Sequence, residues 1–156
     1  MKLLFICTHN RCRSILAEAI TNFYGQGVLT AKSAGSQPAG EVHPLTLKYL
    51  CEFGIPTAGL CSQSWNAHES WRPDLVITVC DSAAGEPCPL WLGQCARVHW
   101  GLADPSRLAG EESAIRKSFV ETIEILKSRI EKLTEFEIAK LDITEFAEIC
   151  AEVGKS

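Results

Sequence analysis

The chain has no basic excess: 15 Lys and Arg stand against 19 Asp and Glu, a net charge of −4. General nucleic-acid binding needs a basic stripe, and none is present, although a local positive pocket for a small anion stays open. No apolar run approaches membrane-spanning length. The opening stretch from Leu3 to Ile6 is too short for a signal peptide and is cut off by His9, Asn10, Arg11 and Arg13. Repeats and low-complexity segments are lacking. No cysteine pair has the C-x2-C spacing of zinc ligands, and His9, His43, His68 and His99 do not pair at ligand distance along the chain. These absences predict a cytoplasmic protein that binds neither nucleic acid nor membrane, with a monomer as the default state.

What is present is an ordinary globular mixture, 46% hydrophobic and 22% charged, in 156 residues that suit one sizeable core. The unusual feature is eight cysteines, at 7, 12, 51, 61, 80, 88, 95 and 150. In a reducing compartment such enrichment points to redox or metal chemistry more than to structural bridges. Cys80, Cys88 and His99 are the set that spacing allows for zinc; redox chemistry is the preferred reading, with no metal and no cofactor.

Strand and helix signals alternate. Leu3–Ile6 reads as a buried strand, and Ile15, Leu16, Ala19, Ile20 and Phe23 follow at helical spacing. Val28–Ser33 reads as a second strand ending at Ala34-Gly35. A helix with Pro44 in its first turn and an apolar stripe of Leu47, Leu50 and Phe53 is closed by Gly54, and Tyr49 and Cys51 are assigned to packing. Asp74–Val79 is a near-continuous apolar strand of the kind covered on both faces, and Ala96–Trp100 is a fourth. From about Glu112 to Leu133, apolar residues recur at three and four from Ile115 to Leu133, with charges on a solvated face between them. Asp142 and Glu145 mark a last helix presenting Phe146, Ile149, Cys150 and Val153. The pattern predicts an α/β fold: an open, mainly parallel four-stranded sheet with helices on both faces. Residues 1–133 form the main domain, and 134–156 a helical extension packed on it.

The first strand stops at Cys7-Thr8-His9-Asn10-Arg11-Cys12-Arg13-Ser14, a Cys-x5-Arg-Ser run that leads straight into a helix. A loop in that place directs backbone N–H groups and the positive helix end at one spot. Cys7 would sit beside that spot, where positive charge favours thiolate over thiol. Arg13 can fork two hydrogen bonds onto a tetrahedral oxyanion. The loop is therefore suited to attack on an oxyanion by sulfur. Sites in such sheets lie beyond the carboxyl ends of the strands, and Cys7, Cys80 and Asp104 follow strands one, three and four. Cys80-Asp81-Ser82-Ala83-Ala84-Gly85-Glu86-Pro87-Cys88 has the small residues of a mobile segment. A thiol at the site mouth could there hand a disulfide on to another, with Cys95 an alternative to Cys88.

The Cys-x5-Arg-Ser loop resembles that of the low-molecular-weight tyrosine phosphatase fold. The 80–88 segment, His99-Trp100-Gly101 and Asp104-Pro105-Ser106 resemble the arsenate reductases of that fold, closest to the thioredoxin-coupled bacterial branch. The resemblance covers about the first 133 residues. Phosphatases of this fold usually follow Asp-Pro with aromatic residues that hold the substrate ring. Ser106 and Arg107 stand there instead, which favours a small inorganic oxyanion.

The resemblance implies that Thr8, His9, Asn10, Arg11, Cys12 and Arg13 hold arsenate while Cys7 attacks it. Ser14 would stabilise the thiolate and Asp104 protonate the departing hydroxyl. Cys80 would then attack Cys7, releasing arsenite, and Cys88 would attack Cys80. The final disulfide would be reduced by thioredoxin; alternatively, a glutathione–glutaredoxin or mycothiol system would resolve the Cys7 adduct directly. The second and third thiols are one residue further apart than in the better-known members. Some members bind potassium through residues matching Asn10, Glu18 and Ser33 plus an Asp; Ser62 and Gln63 occupy that Asp's segment, and Asn10 is read as bracing the loop. In phosphatase relatives a second loop cysteine, here Cys12, can form a protective disulfide with the nucleophile. Two other functions remain open: a phosphatase acting on phosphomonoesters through a Cys7 phosphoenzyme, and an oxyanion sensor that does not turn over.

Overall fold

The computed structural model describes residues 1–85 and 89–156. Its sheet has the order β2-β1-β3-β4 and is wholly parallel, with β1 (Lys2–Ile6), β2 (Thr30–Ala34), β3 (Leu75–Thr78) and β4 (Ala96–His99). Consecutive residues Leu3, Leu4, Phe5 and Ile6 are all buried. Because successive side chains point to opposite faces, the sheet must be covered on both sides at this central strand. The edge strand β4 alternates instead, with Val98 buried between exposed Arg97 and His99. The expected second strand starts two residues too early. Val28 and Leu29 donate back to Gly25 O in the turn after the preceding helix, so pairing begins at Thr30, whose N–H reaches Met1 O.

Helix α1 (Arg13–Tyr24) buries Ile15, Leu16, Ala19 and Ile20 and packs against α5 (Glu112–Thr134). Helix α2 (Pro44–Glu52) starts at its proline, with His43 Nδ1 accepting from Leu45 N–H. It buries Thr46, Tyr49 and Leu50, so the stripe expected from Leu47 and Phe53 is rotated. The cause is Tyr49, whose ring stacks on Phe119 with centroids 4.9 Å apart. Cys51 lies on the other side and is exposed, so it is not a packing residue.

Residues Trp65–Trp71 form a 3-10 helix, and α4 (Leu90–Gly93) is a short helix ahead of β4; the start of the 80–88 segment, expected to be mobile, is the short helix α3 (Asp81–Gly85). Ala83 and Ala84 are good helix formers, and Cys80 closes the turn by accepting Ala84 N–H at its carbonyl and Ala83 N–H at its sulfur. Cys88 and the two residues before it lie outside the described residues.

Helix α6 (Ile143–Val153) has the capping box its sequence announces, Asp142 and Glu145 each accepting the other's backbone N–H. It lies against β4 and over Trp100, a fully buried residue whose Nε1 donates to Cys150 O at 2.8 Å. Arg129 on α5 is also drawn in, its guanidinium 5.5 Å from the Trp100 ring and one amino group donating to Ser156 O. The charged residues of α5 are thus not all on a solvated face. A Cβ at Gly154 would stand 2.4 Å from Trp100 Cδ1, and the buried indole has nowhere to retreat. Gly154→Ala is therefore expected to cost about 1–3 kcal/mol by overpacking; an unchanged urea midpoint would contradict this contact. Among the described residues no helix is long and apolar enough to cross a membrane.

Candidate active site

The loop after β1 is held from outside by its carbonyls. Gln37, Ala39 and His43 N–H groups donate to Thr8, His9 and Arg11 O, each at 2.9 Å. A loop whose carbonyls face outward turns its amide edge inward, here to the carboxyl end of β1 and the first turn of α1. Gly35 makes the fit possible. A Cβ there would lie 2.5 Å from Thr8 O and 2.9 Å from Cys7 O, closer than any side chain tolerates. The sequence marks Gly35 only as the end of a strand, so its place against the loop had no local signal.

Asn10 sits at φ 48°, a left-handed conformation that Asn tolerates better than most residues, and is completely buried. Its Oδ1 accepts from Gln63 N–H at 2.8 Å, which fixes the amide orientation. Its Nδ2 then donates to Ser14 Oγ at 2.8 Å and to Ser33 Oγ at 3.0 Å. With Ser14 Oγ accepting from Asn10, the hydroxyl's single proton is left for Cys7 Sγ, 2.9 Å away. Asn10 thus acts behind the loop; its side chain faces away from the cleft. Ser33 Oγ in turn donates a hydrogen bond to Glu18 Oε1 at 2.7 Å. Burial raises the Glu18 carboxyl above its ordinary value, opposed by the Ser33 hydrogen bonds. Asn10 and Glu18 are therefore joined through the Ser33 hydroxyl. Among the described residues no group of three or more His, Cys, Asp or Glu is arranged to hold a metal ion.

The front of the site is a cleft of about 440 Å³. Cys7, Thr8, His9, Arg11, Cys12 and Arg13 line one side; Cys80, Ser82, Asp104, Ser106 and Arg107 line the other, and Gln37 completes it. None of these described lining residues is aromatic. Arg13 is fixed by Leu102 O, 3.0 Å from Nη1, and by Asp104, 3.5 Å from Nη2. The Asp104 carboxylate also accepts from Ser106 N–H at 3.0 Å and Ser106 Oγ at 2.6 Å, and Arg107 Nε stands 3.4 Å away. Ser106 and Arg107, noted in the sequence for not being aromatic, thus hold the carboxyl in place.

The second sulfur is close by. Cys80 Sγ is buried 3.7 Å from Thr8 Oγ1, on the residue next to Cys7, and accepts from Ala83 N–H at 3.3 Å. Cys12 is different: burial, more than any neighbour, pushes its thiol up to about 12, so it stays protonated and a poor nucleophile. Cys95 precedes β4 and its Sγ is 3.6 Å from Pro73 O, ahead of β3. It lies at the opposite end of the strands from Cys80: Ala96 pairs with Leu75, so Cys95 is level with Asp74, roughly 20 Å from Cys80 at about 3.3 Å per residue. In this structure Cys95 is not positioned to stand in for Cys88.

An open parallel sheet that brings a sulfur, an amide-edged loop and an arginine together beyond its central strand defines a cysteine-based, phosphatase-type α/β protein. Comparison places it within that class: the chain belongs to the low molecular weight phosphotyrosine protein phosphatase family, matched over residues 2–152. It is 31% identical to the arsenate reductase of Shouchella clausii over 131 residues, covering 84% of this chain and 93% of that protein. Its structure resembles the thioredoxin-dependent arsenate reductase of Corynebacterium glutamicum with TM-score 0.63 and 32% identity. That match covers 86% of this chain but only 60% of the Corynebacterium protein. A low molecular weight protein tyrosine phosphatase from T. tengcongensis superposes with TM-score 0.68 at 24% identity, over 86% of this chain and 98% of that one. At that identity the likeness concerns the fold alone.

Proposed function

We propose that this protein reduces arsenate to arsenite through an internal thiol relay recycled by an external thiol donor. The observation that carries the reading is the position of Cys80, its sulfur lodged against Thr8 beside the Cys7 loop. A phosphatase working through Cys7 alone has no use for a second thiol there. The relatives named arsenate reductases support the same choice, and the non-aromatic wall of Ser106 and Arg107 suits a small inorganic anion better than a phenyl ester.

Loop amides and Arg13 hold arsenate while the Cys7 thiolate, receiving the Ser14 hydrogen bond, attacks arsenic. A Cys7–arsenic bond forms and hydroxide leaves as water with a proton from Asp104. Cys80 thiolate then attacks Cys7 Sγ. The sulfur–arsenic bond breaks with its electron pair going to arsenic, As(V) becomes As(III), arsenite departs and a Cys7–Cys80 disulfide remains. Cys88 thiolate attacks Cys80, freeing Cys7 and leaving Cys80–Cys88, which a dithiol of the thioredoxin type reduces. A glutathione–glutaredoxin donor would act earlier, resolving the Cys7 adduct directly.

The test is to incubate reduced protein with arsenate, trap free thiols and map disulfides by mass spectrometry. The expected products are a Cys80–Cys88 bridge in the native chain and a Cys7–Cys80 bridge in Cys88→Ser. Recovery of all three thiols free after arsenate treatment would overturn the relay.

A further inference from the structure

A connected chain of side chains lies just outside the reacting sulfurs. Thr78, buried at the end of β3, has its hydroxyl 2.8 Å from His99 Nδ1. His99, the last residue of β4, has its Nε2 2.9 Å from Asp81 Oδ1. In the neutral ring these contacts select one tautomer: Nδ1 accepts the Thr78 proton and Nε2–H donates to Asp81. Asp81 is the first residue of α3 and follows Cys80 directly. Contact with His99 therefore fastens the turn carrying Cys80 to a neighbouring strand. Within the described turn only one backbone bond closes onto Cys80, from Ala84 N–H to Cys80 O, and it is long at 3.3 Å; Ala83 N–H reaches Cys80 Sγ at 3.3 Å, an ordinary distance for sulfur. Gly101 lets the pair close, since a Cβ there would stand 3.2 Å from His99 Nε2. The Asp81 side chain is 97% exposed and that of His99 39%, so the contact is one that solvent can open readily.

We propose that His99 and Asp81 form a latch that positions Cys80, with Thr78 fixing the imidazole from the buried side. Closed, the latch keeps the Cys80 sulfur against Thr8 and within reach of Cys7. Open, it frees the 81–85 turn to present Cys80 to the next thiol. Neither residue lines the cleft; both act through Cys80. The inference rests on the relay reading for its purpose, but the latch itself is measurable without arsenate.

The experiment follows alkylation of each thiol by iodoacetamide in the reduced full-length protein, with peptide mapping, for the native chain, Asp81→Ala, His99→Ala and Asp81→Asn. Loss of an exposed pair is expected to raise the Cys80 rate about two- to fivefold in Asp81→Ala and His99→Ala. Cys7 serves as the internal reference and keeps its native rate. Asp81→Asn, which retains an acceptor oxygen, is expected to restore the native Cys80 rate. In steady-state arsenate reduction the same two variants should lower kcat and leave the arsenate KM unchanged. A native Cys80 rate in Asp81→Ala, or equal acceleration of Cys7 and Cys80, would overturn the latch. Failure of the native protein to lose thiols on adding arsenate would overturn the relay instead, and the alkylation rates would still decide the latch.

Discussion

Cys80→Ser is expected to abolish multiple-turnover arsenate reduction while leaving the Cys7 loop intact. Serine can keep the hydrogen bond from Ala83 N–H that the sulfur accepts at 3.3 Å, so the 81–85 turn has little reason to unfold. What disappears is the nucleophile proposed to attack the Cys7 sulfur, because a hydroxyl is far less nucleophilic than a thiolate toward it. Arsenite production should fall by about three orders of magnitude or more, the scale of losing an essential nucleophile from an otherwise intact site. Hydrolysis of an aryl phosphate through Cys7 needs no second thiol and should survive at its native level. Measuring both activities on the one variant separates the two chemistries the fold supports. Arsenite production at the native rate by Cys80→Ser would remove Cys80 from the mechanism.

Gly35→Ala is expected to be the most damaging substitution among residues that never touch substrate. The added methyl would meet the carbonyl oxygens of Thr8 and Cys7 at 2.5 and 2.9 Å, and those are backbone atoms of the loop itself. Relief requires the loop to move away from β2, taking the Cys7 sulfur and the amide edge with it. A displacement of about 1 Å can cost about a hundredfold in rate. Overpacking adds about 1–3 kcal/mol of lost stability. Gly85→Ala is a matched control, since a Cβ there meets nothing within 4 Å. Native kcat/KM in purified Gly35→Ala would show that the loop can shift without consequence.

The sheet was legible because its strands are simple statements of burial. Four apolar residues in a row at Leu3–Ile6 require a strand covered on both faces, and Cys-x5-Arg-Ser following it marks the start of α1 at Arg13. Asp142 with Glu145 gave the α6 capping box directly. Long-range contacts left no local trace. Tyr49 turned the α2 face through its stack on Phe119, and Arg129 was drawn inside by the Trp100 ring, each decided by a partner at least 29 residues away in the chain. The small residues of 80–88 point to a mobile segment, although Asp81–Gly85 is helical, with Ala83 N–H held by the Cys80 sulfur. Of the site, the sequence named most of the residues that line the cleft and the brace at Asn10. It did not reveal the supports: Gly35 against the loop, Gln63 orienting Asn10, or His99 beside Asp81. These depend on which strands become neighbours, and a single chain read from end to end does not state that.

The strand order has a consequence for how the two sulfurs tolerate change. Because β1 and β3 are adjacent, Ile6 is in register with Thr78, and Cys7 and Cys80 emerge from strands held about 4.8 Å apart by the backbone ladder. Their separation is therefore a property of the peptide lattice, insulated from most surface drift in sequence. The same lattice makes it brittle in one respect. One residue inserted between Thr78 and Cys80 would turn the thiol to the opposite face, a change of parity that no side-chain adjustment could undo.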